Sequence, residues 1–323
     1  MGDDIEIKCF ALGTLNLIKI YGCTERTDIV NCIASRLGEI DDHMSAFKET
    51  SDVSKIVAAA GKSFVEINQD TMSVLKKALW YHHVSHGAFD ITIRPLVELW
   101  GIGKKNSFIP DQKAIEEAKS KLCASSVILK EDLMQAKLDT VQGAIDLGGI
   151  AKGYAADEIK KIILEHNISS GIINLGGNVV VIGNKPDRSP WKIGIQNPLE
   201  VRGEYVGVLK VCNKTIVTSG TNEQFFIKDK KRYHHLLDPA TGYPADTGLL
   251  SVTAVCDQSI DADAMTTALF VLGLEKGMEL LKEVGADAIF IKENGEINIT
   301  EGLKDQFEII SSSHNDRRKF NVS

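Results

Sequence analysis

From Ser125 onward the chain breaks into short β-rich runs: SSVIL, IINL, NVVVIG, WKIGIQ, YVGVLKV and SVTAV. Two long helical patterns interrupt them, one over Ala151 to His166 and one from Asp261 to about Val284 with a break near Gly273. Brief β-branched and apolar runs bounded by Gly, Pro, Asn and Asp are strands. Many strands with helices grouped rather than alternating with them leave one class of architecture. The fold is α+β, mostly antiparallel sheet.

The first half is richer in helix. IEIKCFALGTLNLIKIY, Ile5 to Tyr21, alternates apolar and polar around Gly13-Thr14 and predicts a hairpin or a bent strand. Helical spacing covers Thr27 to His43, with Asp28 in its first turn, and a short helix follows Ser51. Asp70 to His86 reads as another, capped by Asn68 or Asp70. Pro95 suits the first turn of RPLVELWG, which Gly101 ends. Asp111 to Lys121 is a polar helix expected to cover an edge. With no Pro/Gly/Ser linker inside the chain, one two-lobed domain is expected over 1–311, followed by a flexible tail at 312–323.

Composition excludes several classes. A net charge of −7, from 37 basic and 44 acidic residues, gives no reason to expect nucleic acid or an anionic membrane as partner. No apolar run is long enough for a transmembrane segment. MGDDIEIKCF has no basic n-region, so a cytoplasmic protein is expected, although a chain trimmed of an export signal would read the same. The six cysteines are scattered without a C-x-x-C pair and read as small buried hydrophobes.

Four segments carry candidate chemistry. AIDLGGIAKGYAAD, Ala144 to Asp157, places an acid, paired glycines and a lysine ahead of a helix. It is neither a P-loop nor a dinucleotide fingerprint, so a phosphate cradle and a tight strand-to-helix corner both fit. INLGGNVVVIG repeats the Leu-Gly-Gly at a strand end, where a β-bulge is the plain alternative. HHLLDPATGYPAD, His234 to Asp246, is turn chemistry that also crowds His, Asp and Thr into one loop. His235 there suits a general base or a phosphate donor. In DADAMTTALFVLG, Asp263 and Thr267 share a helical face with Thr266 adjacent. Oxygen donors alone suit a hard cation such as Mg²⁺, while N-capping by Asp261 or Asp263 is the plain reading. His82 and His86 have a zinc-compatible spacing, but no glutamate or third ligand accompanies them.

The ordered set MSAF, GAFDITIRPLVELWG, DLGGIAKGYAAD, NLGGN, TSGTNEQFF, HHLLDPATGYP and ADAMTTALFVLG resembles the ApbE family of FAD:protein FMN transferases over nearly the whole chain. The resemblance implies a Mg²⁺-dependent enzyme that splits FAD, releases AMP and attaches FMN through a phosphoester to a threonine of a target flavoprotein. Carried over by motif, the metal falls to the Gly149 carbonyl, Asp263 and Thr267, with Thr266 nearby. Lys152 meets the pyrophosphate. Asp146, Ala88, Phe89, Asp90, Leu12, Phe47 and Leu237 make the FAD site, and His235 is the base. Two departures stand out: Phe47 replaces the family's tyrosine, and Asp52 stands for a glutamate. An FAD pyrophosphatase giving free FMN and AMP, or a non-catalytic flavin carrier, are the alternatives.

Overall fold

The computed structural model describes residues 3–23, 26–104, 107–310 and 320–322. The chain opens with a hairpin of β1 (Asp3–Ala11) and β2 (Thr14–Cys23). Its two-residue loop puts both Leu12 (φ 54) and Gly13 (φ 71) in the left-handed region, as a type I′ turn demands. Then follow α1 (Arg26–Met44), α2 (Asp52–Ala58), β3 (Val65–Glu66), α3 (Gln69–Val84), α4 (Arg94–Trp100), α5 (Gln112–Lys119), β4 (Val127–Lys130) and β5 (Gln135–Leu138). Beyond them lie α6 (Ala151–Glu165), β6 (Gly171–Leu175), β7 (Asn178–Ile182), β8 (Trp191–Gln196), β9 (Tyr205–Val211) and β10 (Thr215–Gly220). The chain ends with β11 (Phe225–Lys228), β12 (Lys231–His234), β13 (Leu249–Cys256), α7 (Ser259–Val284), β14 (Asp287–Lys292), β15 (Ile297–Ile299), β16 (Phe307–Ile309) and β17 (Phe320–Val322).

Local chemistry sets the helix ends. The side chain of Asn68, not Asp70, caps α3 by accepting from the Asp70 N–H at 3.0 Å. Ser51 and Asp111 cap α2 and α5 in the same way. Gly101 closes α4 at φ 56. Ile115 and Ala118 of α5 join Leu96, Trp100 and Leu237 in a small core of their own. The Asp111 segment packs on α4 and on the side chains of Phe226 in β11 and Tyr233 in β12 that adjoin the same cluster.

Among the described residues nine strands form the main sheet, in the order β1-β2-β6-β7-β10-β13-β14-β15-β17, and only the last pair is parallel. The β17 strand falls within the segment expected to be a flexible tail; residues 312–319 and 323 of that segment lie outside the described residues. Strand β13 is buried at every position because both faces of the sheet are covered. On one face Val252 and Ala254 lie in the core under α7; on the other Val255 packs with Trp191, Leu209 and Ile289 beneath β8, β9 and β16. Burying one valine side chain contributes about 1.5–3 kcal/mol. A surface ion pair such as Lys214–Asp257 contributes about 0–1 kcal/mol. Burial therefore fixes the register. Among the described residues no helix is long and apolar enough to cross a membrane.

The first half of α6 is locked to the start of α7, and this sets the site. Asp157 of α6 accepts the Ser259 and Ile260 N–H groups at 2.8 and 2.9 Å, so α7 is capped from outside its own sequence. Neither Asp261 nor Asp263 does that work: Asp261 accepts from the Tyr81 hydroxyl at 2.9 Å. Gly153 sits so close that an added Cβ would lie 2.3 Å from the Ser259 carbonyl oxygen and 2.6 Å from Ile260 Cα. Both obstacles are backbone. Gly153→Ala is expected to destabilise the fold by about 1–3 kcal/mol and to lower ligand affinity with it. An unchanged melting temperature would refute the close packing.

Candidate active site

A cleft of about 1310 Å³ runs from the tip of the β1–β2 hairpin, past the start of α6 and the side of α7, to β8, β9 and the loop after β12. Drug-sized ligands fill about 300–1,000 Å³, so there is room here for a dinucleotide. Leu12, Phe47, Ala88, Phe89, Asp90, Asp146, Gly149, Lys152, His235, Leu237, Asp263 and Thr267 all line it. Thr266, expected beside the metal, does not.

The corner before α6 is held by side-chain-to-backbone bonds. The Asp146 N–H donates to the Ile91 carbonyl at 2.7 Å, and its Oδ1 accepts the Gly148 N–H at 2.7 Å, an Asx-turn. The α6 N-cap residue, Ile150, offers no side-chain cap. Instead the Gly153 N–H donates to Asp263 Oδ2 at 2.9 Å, across to α7. Lys152 Nζ donates to the Gly148 carbonyl at 2.5 Å and lies 3.3 Å from Asp263 Oδ1. The arrangement combines a helix N-terminus, a cation and a buried carboxylate. It suits a phosphate beside a metal.

Helix geometry separates the two threonines of α7. Positions 263 and 267 are one turn apart and face the cleft, whereas 266 is rotated toward β10. The Thr266 hydroxyl donates to the Asp263 carbonyl at 2.9 Å and accepts from Ser219 Oγ at 2.9 Å, so its bonding is spent on the fold. Thr267 and Gly149 adjoin: a Cβ on Gly149 would lie 3.7 Å from Thr267 Oγ1.

Of the paired histidines, one is structural. His234 is buried, bonds the Ala245 carbonyl at 3.1 Å, and burial pushes its pKa down to about 4. His235 faces the cleft. Its Nδ1 lies 3.3 Å from the Gln224 carbonyl, and because a carbonyl only accepts, Nδ1 carries the proton and Nε2 is the basic nitrogen. Burial pushes the His235 pKa below its ordinary 6.5; the Gln224 carbonyl opposes this, and the nearby Lys152 charge adds to it. The ring is therefore neutral at pH 7.

The remaining wall is less chemical. Asp90 accepts from the Thr92 N–H and hydroxyl at 2.7 and 2.6 Å. His82 Nδ1 donates to the Phe89 carbonyl at 3.2 Å, so this histidine braces the 88–90 loop. Phe47 is 90% exposed at the cleft mouth, a ring open to stacking. Sequence reasoning missed Arg232, which lines the cleft, donates to Thr221 Oγ1 at 3.1 Å and lies over the Phe225 ring at 4.5 Å. Its only signal was the basic tract KDKKRYHH, which reads as solvated charge.

Comparison with known proteins adds four findings. Residues 1–290 match the ApbE family. The FAD:protein FMN transferase of Treponema pallidum (strain Nichols) is 33% identical over 318 residues, covering 93% of this chain and 88% of the relative. One from Klebsiella pneumoniae (strain 342) is 34% identical over 308 residues, covering 94% of each. The crystal structure of the ApbE protein of Thermotoga maritima superposes with a TM-score of 0.86 at 33% identity, covering 94% of this chain and 99% of that one.

Proposed function

This chain belongs to the ApbE family, and on that premise we propose that it is an FAD:protein FMN transferase. It moves FMN from FAD to a threonine hydroxyl of an acceptor flavoprotein, needs Mg²⁺ and releases AMP. One observation carries the reading. Lys152, Asp263, Thr267 and the Gly148-Gly149 corner meet on one wall of a dinucleotide-sized cleft that His235 also lines.

The donors fit the metal. Asp263, Thr267 and the Gly149 carbonyl offer oxygen only, as a hard divalent cation requires. The same place draws positive charge, since the Lys152 ammonium already rests between the Gly148 carbonyl and Asp263. Mg²⁺ bound there neutralises phosphate charge and polarises the P–O bonds.

The chain's own groups supply the rest. Lys152 and the first turn of α6 bind and orient the pyrophosphate, and Phe47 offers its ring to a flat ligand group. The threonine oxygen forms a bond to the FMN phosphorus while the bond from that phosphorus to the bridging oxygen breaks. The electron pair leaves with AMP, and the hydroxyl proton passes to His235 Nε2. Chromatography of a reaction with FAD, Mg²⁺ and acceptor is expected to show AMP accumulating, and EDTA to stop it. AMP formation indifferent to EDTA would refute the metal requirement; intact FAD would leave a carrier.

A further inference from the structure

Far from the cleft, three unlike donors converge. Asp28 and Cys32 lie four residues apart on one face of α1, and His166 follows the last residue of α6. One ligand atom from each lies within 4.8 Å of the others. His166 Nδ1 is 2.8 Å from the Ile162 carbonyl, which can only accept, so Nδ1 carries the proton. That turns the lone pair of Nε2 toward Asp28 Oδ2, 3.3 Å away. Two electron-rich atoms at that separation repel unless a proton or a cation lies between them. The two helix ends favour an ion pair of this sign, an acid at the start of α1 and a base at the end of α6. An ion pair, however, has no use for the adjacent thiol.

We propose that Asp28, Cys32 and His166 form a second metal site, for a borderline divalent cation of the zinc class. Sulfur, imidazole nitrogen and carboxylate oxygen are the donors such an ion takes, whereas a hard cation such as Mg²⁺ avoids thiolate. The Ile162 carbonyl is the outer partner that fixes the tautomer of a metal-bound histidine. Water completes a tetrahedron, and binding displaces the thiol proton to solvent. The ion clamps the first turn of α1 to the far end of the helix that carries Lys152.

The test uses the full-length chain in excess Mg²⁺, so that the cleft is not counted. Zinc retained after gel filtration is measured by mass spectrometry, and Co²⁺ is titrated while its spectrum is followed. One zinc per chain and a thiolate-to-cobalt charge-transfer band are expected. Cys32→Ser should abolish the band, and Cys32→Ser or His166→Gln should weaken affinity at least about tenfold. No retained zinc in the wild-type chain would overturn the proposal in favour of the ion pair. Zinc retained equally by both variants would overturn it too, placing the ion elsewhere.

Discussion

Asp263→Ala is expected to lower AMP release and FMN transfer by at least about 10²–10³-fold at ordinary Mg²⁺. The carboxylate is 4% exposed and is the charged oxygen donor shared by the start of α6 and the wall of α7. Its removal also leaves the Gly153 N–H without an acceptor, at a cost to the fold of about 1–3 kcal/mol. Asp263→Asn separates the two effects. The amide oxygen still accepts from Gly153, so stability should largely return, but the charge does not. Activity should stay lost in both variants while only the alanine chain melts early. Wild-type turnover in the asparagine variant would remove Asp263 from the metal site.

The second large effect belongs to His235. His235→Ala is expected to lower kcat for transfer by about 10²–10⁴-fold with little change in FAD affinity, because a proton acceptor is used only in the transition state. The wild-type pH profile carries the same assignment. If His235 takes the hydroxyl proton, the neutral ring is the active form, and burial holds its pKa below the ordinary 6.5. Transfer should therefore stay level as pH falls to about 6.5 and decline only in more acid solution. The variant should lack that acid limb. A large loss of FAD affinity with unchanged kcat would instead make His235 a binding residue.

Much of this was legible in the sequence, for identifiable reasons. Alternation marked the β1–β2 hairpin, and short β-branched, apolar runs marked the strands β6, β7, β8, β9 and β13, because one or both faces of each are buried in a continuous core. Polar caps are local chemistry: the sequence put Ser51 and Asp111 at helix starts and offered Asn68 or Asp70 for α3, and the structure uses Ser51, Asn68 and Asp111. The β11–β12 hairpin was missed because its exposed, basic strands lack a buried face to impose a period. Long-range bonds were invisible too. Nothing around Asp157 says that it caps a helix about 100 residues later. Nor does anything around Cys32 say that His166 stands beside it.

The site divided along the same line. Residue types and order pointed to Gly149, Lys152, His235, Asp263 and Thr267, and the fold brings these to one cleft. Thr266 was misread because adjacency in sequence is not adjacency on a helix face; its hydroxyl belongs to Ser219 and the Asp263 backbone. Arg232 entered only through the tertiary turn of β12.

The most direct measurement is mass spectrometry of an acceptor flavoprotein domain after incubation with the chain, FAD and Mg²⁺. A matched acceptor with that threonine changed to alanine serves as control. The account predicts a mass gain of one FMN on the threonine, absent from the control and blocked by EDTA. AMP and FMN released into solution with every acceptor unmodified would contradict it and leave a pyrophosphatase in its place.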